Sequence, residues 1–405
     1  MKPASRPILA IVAGLLPALS VADIGPALTG LAAGGNDATT VFFSPAAMTR
    51  LDHEVVVQTA VVYQDAKFSV DSASLDGGSA DSDESVFLIP GGYYVRPLGE
   101  RWRLGLSLSV PSGIGHDYGV SWAGRYLAEE SSLAFVAISA PLAYRINDQW
   151  SVAAGPLVIY TDSVSTARVN NILPEYGDGR VKLEEDGAGI GWSAGVMFEL
   201  SPETRFGFSY KSEIDPDLKG TPSFRNVDPV LREILAAADL LGTEINVDFT
   251  VPAIAQAGFY TELSDTWALT GDAIWIDMSE FGVTHVRVEE TGIHVRSQGF
   301  KDNWVGSVGL EYKYSEDRTL SFGALYMSSP IDDEDRQITL PFDRIWGVGA
   351  GLEQACWGHE CKFSLNYFDL GDGEVTEDLG PLGAIEGSFS TNWAVMLDFQ
   401  LRIKL

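Results

Sequence analysis

Two closely spaced cysteines, Cys356 and Cys361, flank the hexapeptide CWGHEC and are the first residues here whose spacing bears on chemistry. Both ends of one short turn lie close enough to bridge, and an exported chain meets oxidising conditions. A disulfide is therefore expected. The rival is a metal site with His359 and Glu360, but two cysteines and one histidine make a sparse ligand set, and no metal is expected. Acyl-transfer catalysis would need a serine–histidine pair with an orienting partner. The five histidines are His53, His116, His285, His294 and His359, and none stands near a nucleophile context such as G-x-S-x-G. Neither an enzyme nor a bound cofactor is expected.

The chemistry must then lie in what the elements enclose. The formal net charge of -29 over 405 residues repels a polyanion, so nucleic acid is no partner. Hydrophobic residues are 45% of the chain and mean hydropathy is only +0.05, so a helical membrane protein is not indicated. The N-terminus carries Lys2 and Arg6, then the apolar run ILAIVAGLLPAL (Ile8–Leu19), then the small residues Ser20-Val21-Ala22. This predicts a signal peptide over residues 1–22 and a mature chain beginning at Asp23. The alternative, a membrane anchor, is disfavoured by the shortness of the run and by Pro17. No later run reaches the roughly 18 apolar residues of a spanning helix.

Alternation with period two recurs instead. In WAVMLDFQLRIKL, Trp393, Val395, Leu397, Phe399, Leu401, Ile403 and Leu405 share one face, against Ala394, Met396, Asp398, Gln400, Arg402 and Lys404. Trp102, Leu104, Leu106, Leu108 and Val110 alternate with Arg103, Gly105, Ser107 and Ser109. Similar patterns run through 189–200, 205–211 and 304–314. Such segments are strands with one apolar and one polar face. Short polar turns (GERW at 99–102, NDQW at 147–150, SPET at 201–204, SDTW at 264–267, SEDRT at 315–319) alternate with long acidic connections near 71–84, 112–130, 163–186, 215–247, 279–301, 330–342 and 372–387. Trp102, Trp150 and Trp267 each follow a short turn, where an interfacial aromatic girdle belongs. The predicted fold is all-β: a transmembrane antiparallel β-barrel over residues 52–405 with roughly fourteen strands. Its last strand must pair with its first, because an open edge in lipid leaves backbone groups unsatisfied.

Residues 23–51, DIGPALTGLAAGGNDATTVFFSPAAMTRL, lack this alternation and precede the first predicted strand, His53–Tyr63. They read either as a periplasmic tail or as a plug in the lumen; the apolar cluster Val41-Phe42-Phe43 and the rigid Pro45 favour the plug.

The stretch GNDATTVFFSPAAMTRL resembles the hatch signature of the FadL family, outer-membrane transporters of long-chain fatty acids and other hydrophobic compounds. That family usually carries Asn-Pro-Ala where this chain has Ser44-Pro45-Ala46. SWAGRY (Ser121–Tyr126), LAYRINDQWSVAAGPLVIY (Leu142–Tyr160), VPAIAQAGFYTELSDTWALTGDAIWIDMSEF (Val251–Phe281) and SPIDDEDRQITLPFDRIWGVGAGLE (Ser329–Glu353) resemble other family segments, in the family's order. The resemblance implies a hatch at 23–51 whose core is Phe42, Phe43, Ser44, Pro45 and Ala46. It also implies capture of a hydrophobic ligand between outer loops, transfer to an interior pocket, and exit sideways through a gap beside a kinked third strand. In that strand Gly105, Pro111 and Gly113 are the gap candidates, since proline removes a ladder donor and glycine weakens packing; Pro111 could equally just end the strand.

DPVLREILAAADLLG reads as a helix over Asp228–Gly242, capped by Asp228 and stopped at Gly242. Its apolar stripe, Val230, Leu231, Ile234, Leu235, Ala238 and Leu241, is a candidate wall of the outer groove or a lid over neighbouring loops. A fatty acid also needs cations for its carboxylate; Arg125, Arg168, Arg296, Lys301 and Arg344 are candidates, with ion pairing to nearby acids as the alternative. The acidic runs Asp332–Asp335 and Asp81–Glu84 could bind divalent ions among lipopolysaccharide phosphates or simply be solvated. The expected partners are a hydrophobic small molecule and the lipid and lipopolysaccharide of the outer membrane, with the protein a monomer. Long-chain fatty acids are the expected substrate. Alkanes or monoaromatic hydrocarbons are the alternative by the same route, and a porin for polar solutes or an adhesive surface barrel are the competing classes.

Overall fold

The computed structural model describes residues 28–81, 85–288, 291–294, 299–339, 343–378 and 383–405. The expected signal peptide, the first residues of the expected hatch and Arg296 lie outside the described residues, as does most of the Asp81–Glu84 run. The barrel strands are β1 (Glu54–Ala73), β2 (Ser85–Pro97), β3 (Trp102–Asp117), β4 (Glu130–Ser139, resuming at Leu142–Arg145), β5 (Trp150–Val169), β6 (Gly179–Glu199) and β7 (Thr204–Lys211). They continue as β8 (Ile254–Glu262), β9 (Trp267–Ile276), β10 (Asn303–Ser315), β11 (Arg318–Met327), β12 (Ile345–Cys356), β13 (His359–Asp369) and β14 (Ala384–Lys404). These 14 antiparallel strands close on themselves, β14 pairing with β1 from Glu54↔Lys404 to Ala73↔Ile385.

The alternation read from the sequence sets which face meets lipid. Leu104, Leu106, Leu108, Ile190, Trp192, Phe206, Phe208 and Leu397 are exposed on the outside, while Asp398 and Gln400 are buried within. Trp102, Trp150 and Trp267, just after short turns, pack on Tyr144, Phe198 and Tyr312 of neighbouring strands, with ring centroids 4.4, 4.6 and 4.5 Å apart. These pairs form an aromatic belt at the short-turn side. Several segments read as loops are strand. The first strand runs to Ala73, ten residues past the expected Tyr63, and β5 and β6 pair through Val169↔Gly179. These extensions stand above the lipid, where water wets the outer face too, so polar residues such as Asp65 and Lys67 of β1 appear there and the period-two signal fades.

Residues 28–51 lie in the lumen, with Val41, Ala46, Ala47 and Met48 fully buried. Helix α1 (Thr40–Phe43) leads into a 3-10 turn over Pro45–Arg50, whose first residue is the proline, where a missing N–H costs nothing. Most of this segment is not in the sheet, so its backbone groups are satisfied by strand side chains. Asp272 on β9 accepts from the amides of Gly30 and Ala32 at 2.6 and 2.8 Å. Arg205 on β7 donates to the Ala33 carbonyl at 2.6 Å. Ser209 on β7 and Gln256 on β8 both donate to the Phe43 carbonyl, at 2.8 and 2.7 Å. Thr49 shares a 2.7 Å bond with Ser151 on β5, and Arg103 on β3 donates to the Leu51 carbonyl at 2.7 Å. Lys362 on β13 and Gln400 on β14 both donate to Asp37 at 2.7 Å. Ser44, in place of the family's asparagine, donates to the Ala32 carbonyl at 2.7 Å, so it ties two parts of the segment together rather than reaching the wall.

Candidate functional site

The wall is uneven at β2 and β3. Their ladder covers only Gly92↔Leu108 to Pro97↔Arg103. Above it, β2 pairs with β1 through Ser85–Gly91, and β3 pairs with β4 through Ser112–Asp117. Among the described residues, no ladder joins those two upper stretches to each other. The cause is local. Ser109 pairs with Ala137 and Ser112 with Phe135, so Val110 and Pro111 together oppose Val136 in a bulge. The bulge bends the strand, Pro111 has no N–H to offer, and Val110 turns inward, 3% exposed, out of step with Leu104, Leu106 and Leu108.

A small apolar cavity of 40 Å³ opens just inside this seam. Its lining includes Pro111 and Ser112 of β3, Phe135 of β4, Leu157 and Ile159 of β5, and Phe42 of the lumen segment. Lys211, at the end of β7, is the cation in that lining, its ammonium 4.6 Å from the Phe42 ring centre. An ammonium over an aromatic face is attracted by the ring's negative face. A second cavity, of 340 Å³, lies on the short-turn side of the lumen segment and is mostly polar, lined by Asp37, Glu262, Lys313, Glu353, Lys362 and Gln400 among others. Its charged walls suit water better than a greasy ligand, so the smaller cavity is the candidate site despite its size.

The predicted site residues are distributed as follows. Phe42 lines the apolar cavity; Phe43, Ser44, Pro45 and Ala46 are buried beside it in the lumen segment. Pro111 sits in the bulge at the seam. Gly113 lies above it, paired with Ala134. Gly105 lies below the seam, laddered to Val95 and donating to the Pro141 carbonyl at 2.9 Å. What Gly105 provides is clearance: a β-carbon there would meet the Met48 sulfur at 2.5 Å and a Val41 methyl at 2.9 Å.

The loop helix α2 runs only from Pro229 to Ala237. Asp228 caps it, accepting from Val230 and Leu231 at 2.8 and 3.0 Å, but Asp239 is already left-handed at φ 58° and ends the helix before Gly242. Ala238 is the C-cap and Leu241 lies beyond it. Leu231 and Leu235 are half-buried, whereas Val230 and Ile234 are exposed, and the helix has no buried residue.

The four described head-group cations each meet an acid. Arg125 bonds Asp178 at 3.0 Å, Arg168 bonds Glu129 at 3.3 Å and Arg344 bonds Asp369 at 3.0 Å, while Lys301 pairs with Asp332. Burial raises the Asp178 carboxyl, but Tyr126 and Arg125 outweigh it and hold it below its ordinary value. Cys356 and Cys361 are bridged, with Cα atoms 5.9 Å apart across the β12–β13 turn.

Sequence reading missed Lys211, Phe135, Leu157 and Ile159. A signal existed for three of them: in LAFVAIS and PLVIY the apolar residues occupy both faces, which in a barrel strand leaves an apolar patch in the lumen.

The sequence profile of a family described as "Outer membrane protein transport protein (OMPP1/FadL/TodX)" matches residues 10–359. A long-chain fatty acid transport protein of Escherichia coli O6:H1 is 25% identical over 369 residues, covering 83% of this chain and 82% of its own. A 47 kDa outer membrane protein of Pasteurella multocida is 27% identical over 375 residues, covering 84% and 85%. Among solved structures, a Pseudomonas aeruginosa FadL homologue superposes with a TM-score of 0.85 at 20% identity, covering 97% of this chain and all of that one. The toluene transporter TodX of Pseudomonas putida gives a TM-score of 0.67 at 16% identity, over 94% and 99%. At those identities the likeness is one of fold.

Proposed function

The chain belongs to the outer membrane protein transport protein (OMPP1/FadL/TodX) family, and from that premise we propose that it carries long-chain fatty acids through the outer membrane without a water-filled route. It is a FadL-type outer-membrane transporter of hydrophobic compounds rather than an enzyme. The observation that carries the finer reading is the apolar cavity lying against an unladdered stretch of wall, with the buried Lys211 in its lining. An acyl chain entering it leaves water at about 0.8 kcal/mol per CH2. The carboxylate gains a charge-assisted bond from the Lys211 ammonium. Phe42 stands on the cavity's inner side and Pro111 on its outer side, so a shift of the lumen segment away from β3 would join cavity and seam. The ligand then passes sideways into the hydrocarbon of the membrane, and no step requires it to re-enter water. The residues read as an outer groove, Val230, Leu231, Ile234, Leu235, Ala238 and Leu241, stand on the long-loop side, where capture would begin.

The cavity also favours a second reading. The phenylalanines in its wall, Phe42, Phe135 and Phe281, offer ring faces to an aromatic guest as well as apolar surface to an acyl chain. Monoaromatic hydrocarbons are therefore the alternative cargo.

Uptake of labelled oleate and labelled toluene separates these readings, measured in a Gram-negative host lacking its own transporter and expressing this chain. Lys211→Met is expected to slow oleate about tenfold, the loss of one charge-assisted bond, and to leave toluene unchanged. Toluene entry alone in the wild type assigns the hydrocarbon cargo. Entry of small polar solutes without either ligand refutes both.

A further inference from the structure

Three phenylalanines line the apolar cavity, and they differ in how they are held. Phe135 sits on β4, laddered to Ser112 of β3 on one side and to Thr161 of β5 on the other. Phe42 is held by the bonds that Ser209 and Gln256 make to the carbonyl of the next residue. Phe281 stands outside the barrel sheet, in the long β9–β10 connection, one residue beyond a 3-10 turn over Met278–Glu280. Its amide donates to the Met278 carbonyl at 3.1 Å, a bond within its own turn. Gly282 follows at φ 108°, a conformation that residues with a β-carbon avoid. There the chain enters the loop strand Gly282–Val288, which pairs with a second loop strand, Ile245–Thr250. The glycine lets the chain turn away while the Phe281 ring stays in the cavity wall, 8% exposed.

Phe281 is also a link in a line of rings. It meets Phe249 edge-on, with centroids 5.4 Å apart and planes at 84°, and Phe300 at 5.5 Å and 72°. Phe249, on the second loop strand, reaches back to Phe135 at 6.0 Å. Phe300 stands at the end of the long connection, shortly before β10, and its neighbour Lys301 is half exposed and paired with Asp332. All four rings are buried. An apolar line thus runs from the long loops to the cavity wall.

We propose that Phe281 is the gate between the long loops and the apolar cavity, and that it restricts the cargo to slender molecules, unbranched acyl chains and single rings, against fused-ring hydrocarbons. Phe281 belongs both to the line of rings and to the cavity wall, and it is carried by a loop. Phe135 shares both places but is fixed between two ladders. A ring held edge-on between two others can tilt to pass a guest no wider than one ring or one chain. A fused-ring guest is wider, and needs the Phe281 ring drawn clear of Phe249 and Phe300 with the loss of both edge-to-face contacts. The proposal rests on the hydrophobic-uptake reading and adds a size selection that either cargo named above would meet.

The test is uptake of labelled oleate, toluene and pyrene by the same transporter-less host, each corrected for the host without this chain. Oleate or toluene, whichever enters faster, is the slender reference. Wild type should take up pyrene about tenfold more slowly than the reference, the order of two edge-to-face contacts parted in the barrier. In Phe281→Ala the two rates should come within about twofold of each other, whereas loss of a mere wall contact would slow both in proportion. Phe281→Leu, a smaller truncation should the alanine variant fail to fold, should shift the ratio the same way by about threefold. Ion conductance of the purified variants in planar bilayers should match wild type. Equal wild-type uptake of pyrene and the reference overturns the gate, as does an unchanged ratio in the variants, or a conductance that rises with pyrene entry and so reports a leak. Entry of none of the three into wild type overturns the uptake reading as well, so the two failures are distinct.

Discussion

The barrel has two seams that differ in kind. Where β14 meets β1 the ladder runs from Glu54 to Ala73, with Arg402 clasping Glu54 across it at 2.7 Å. Where β2 meets β3 the ladder stops at Gly92↔Leu108. Each strand then follows its other neighbour, and an apolar cavity lies behind the break. A barrel needs every backbone group satisfied in lipid, so an incomplete seam is tolerable only where it is short, bulged and backed by packed protein. The first seam holds the cylinder shut. The second is where the proposed exit lies, and what sets it apart is a proline and one extra residue in β3.

The comparison can be broken most severely at the closing seam. Arg402→Met strips the partner from Glu54, which is fully buried, and an unpaired buried charge costs about 3–5 kcal/mol. Thermal unfolding followed by gel mobility should show that loss, and an unchanged melting temperature would mean that the ladder alone holds the seam. Next in size is Gly105→Leu, whose new side chain collides with Met48 and Val41. Overpacking of this kind costs about 1–3 kcal/mol. The lumen segment should be pushed off the wall, and single-channel recording should show raised ion conductance. Pro111→Ala sharpens the contrast from the other side, because it supplies an N–H at the bulge and lets the ladder climb. Hydrophobic uptake should fall about threefold, less than 1 kcal/mol in barrier, with stability kept or gained; uptake equal to wild type removes Pro111 from the exit.

The smallest effect expected is in the loops. The Asp178 carboxyl is held below its ordinary value in the folded chain. Its latch on Arg125 and Tyr126 therefore contributes above the unfolded carboxylate range and fades as pH falls through the lowered folded value. Pepsin nicking of residues 118–129 should rise only below about pH 4. In Asp178→Asn that rise should be absent, with nicking already at its higher level throughout.

Legibility in the sequence follows the same division. The lipid face was plain because lipid tolerates only apolar side chains there, and Leu104, Leu106 and Leu108 announce it at period two. Val110 sits in step with them in the sequence and out of step in the fold, since one inserted residue at the bulge reverses the face and no local pattern marks it. The upper parts of β5 and β6 read as loops because water lies on both sides of them. The cavity was harder still. Lys211, Phe42 and Leu157 come from three distant parts of the chain, and only closure of the cylinder brings them together.

The lumen segment bonds outward to β3, β5, β7, β8, β9, β13 and β14, around most of the circumference. Loaded from the periplasmic side, those bonds share tension in parallel, like spokes on a hub, rather than peeling one after another. A steady pull should therefore meet stiffness and then a single abrupt release. In mechanical terms the segment is a brace for the cylinder, and thermal jostling of one spoke is resisted by all the rest.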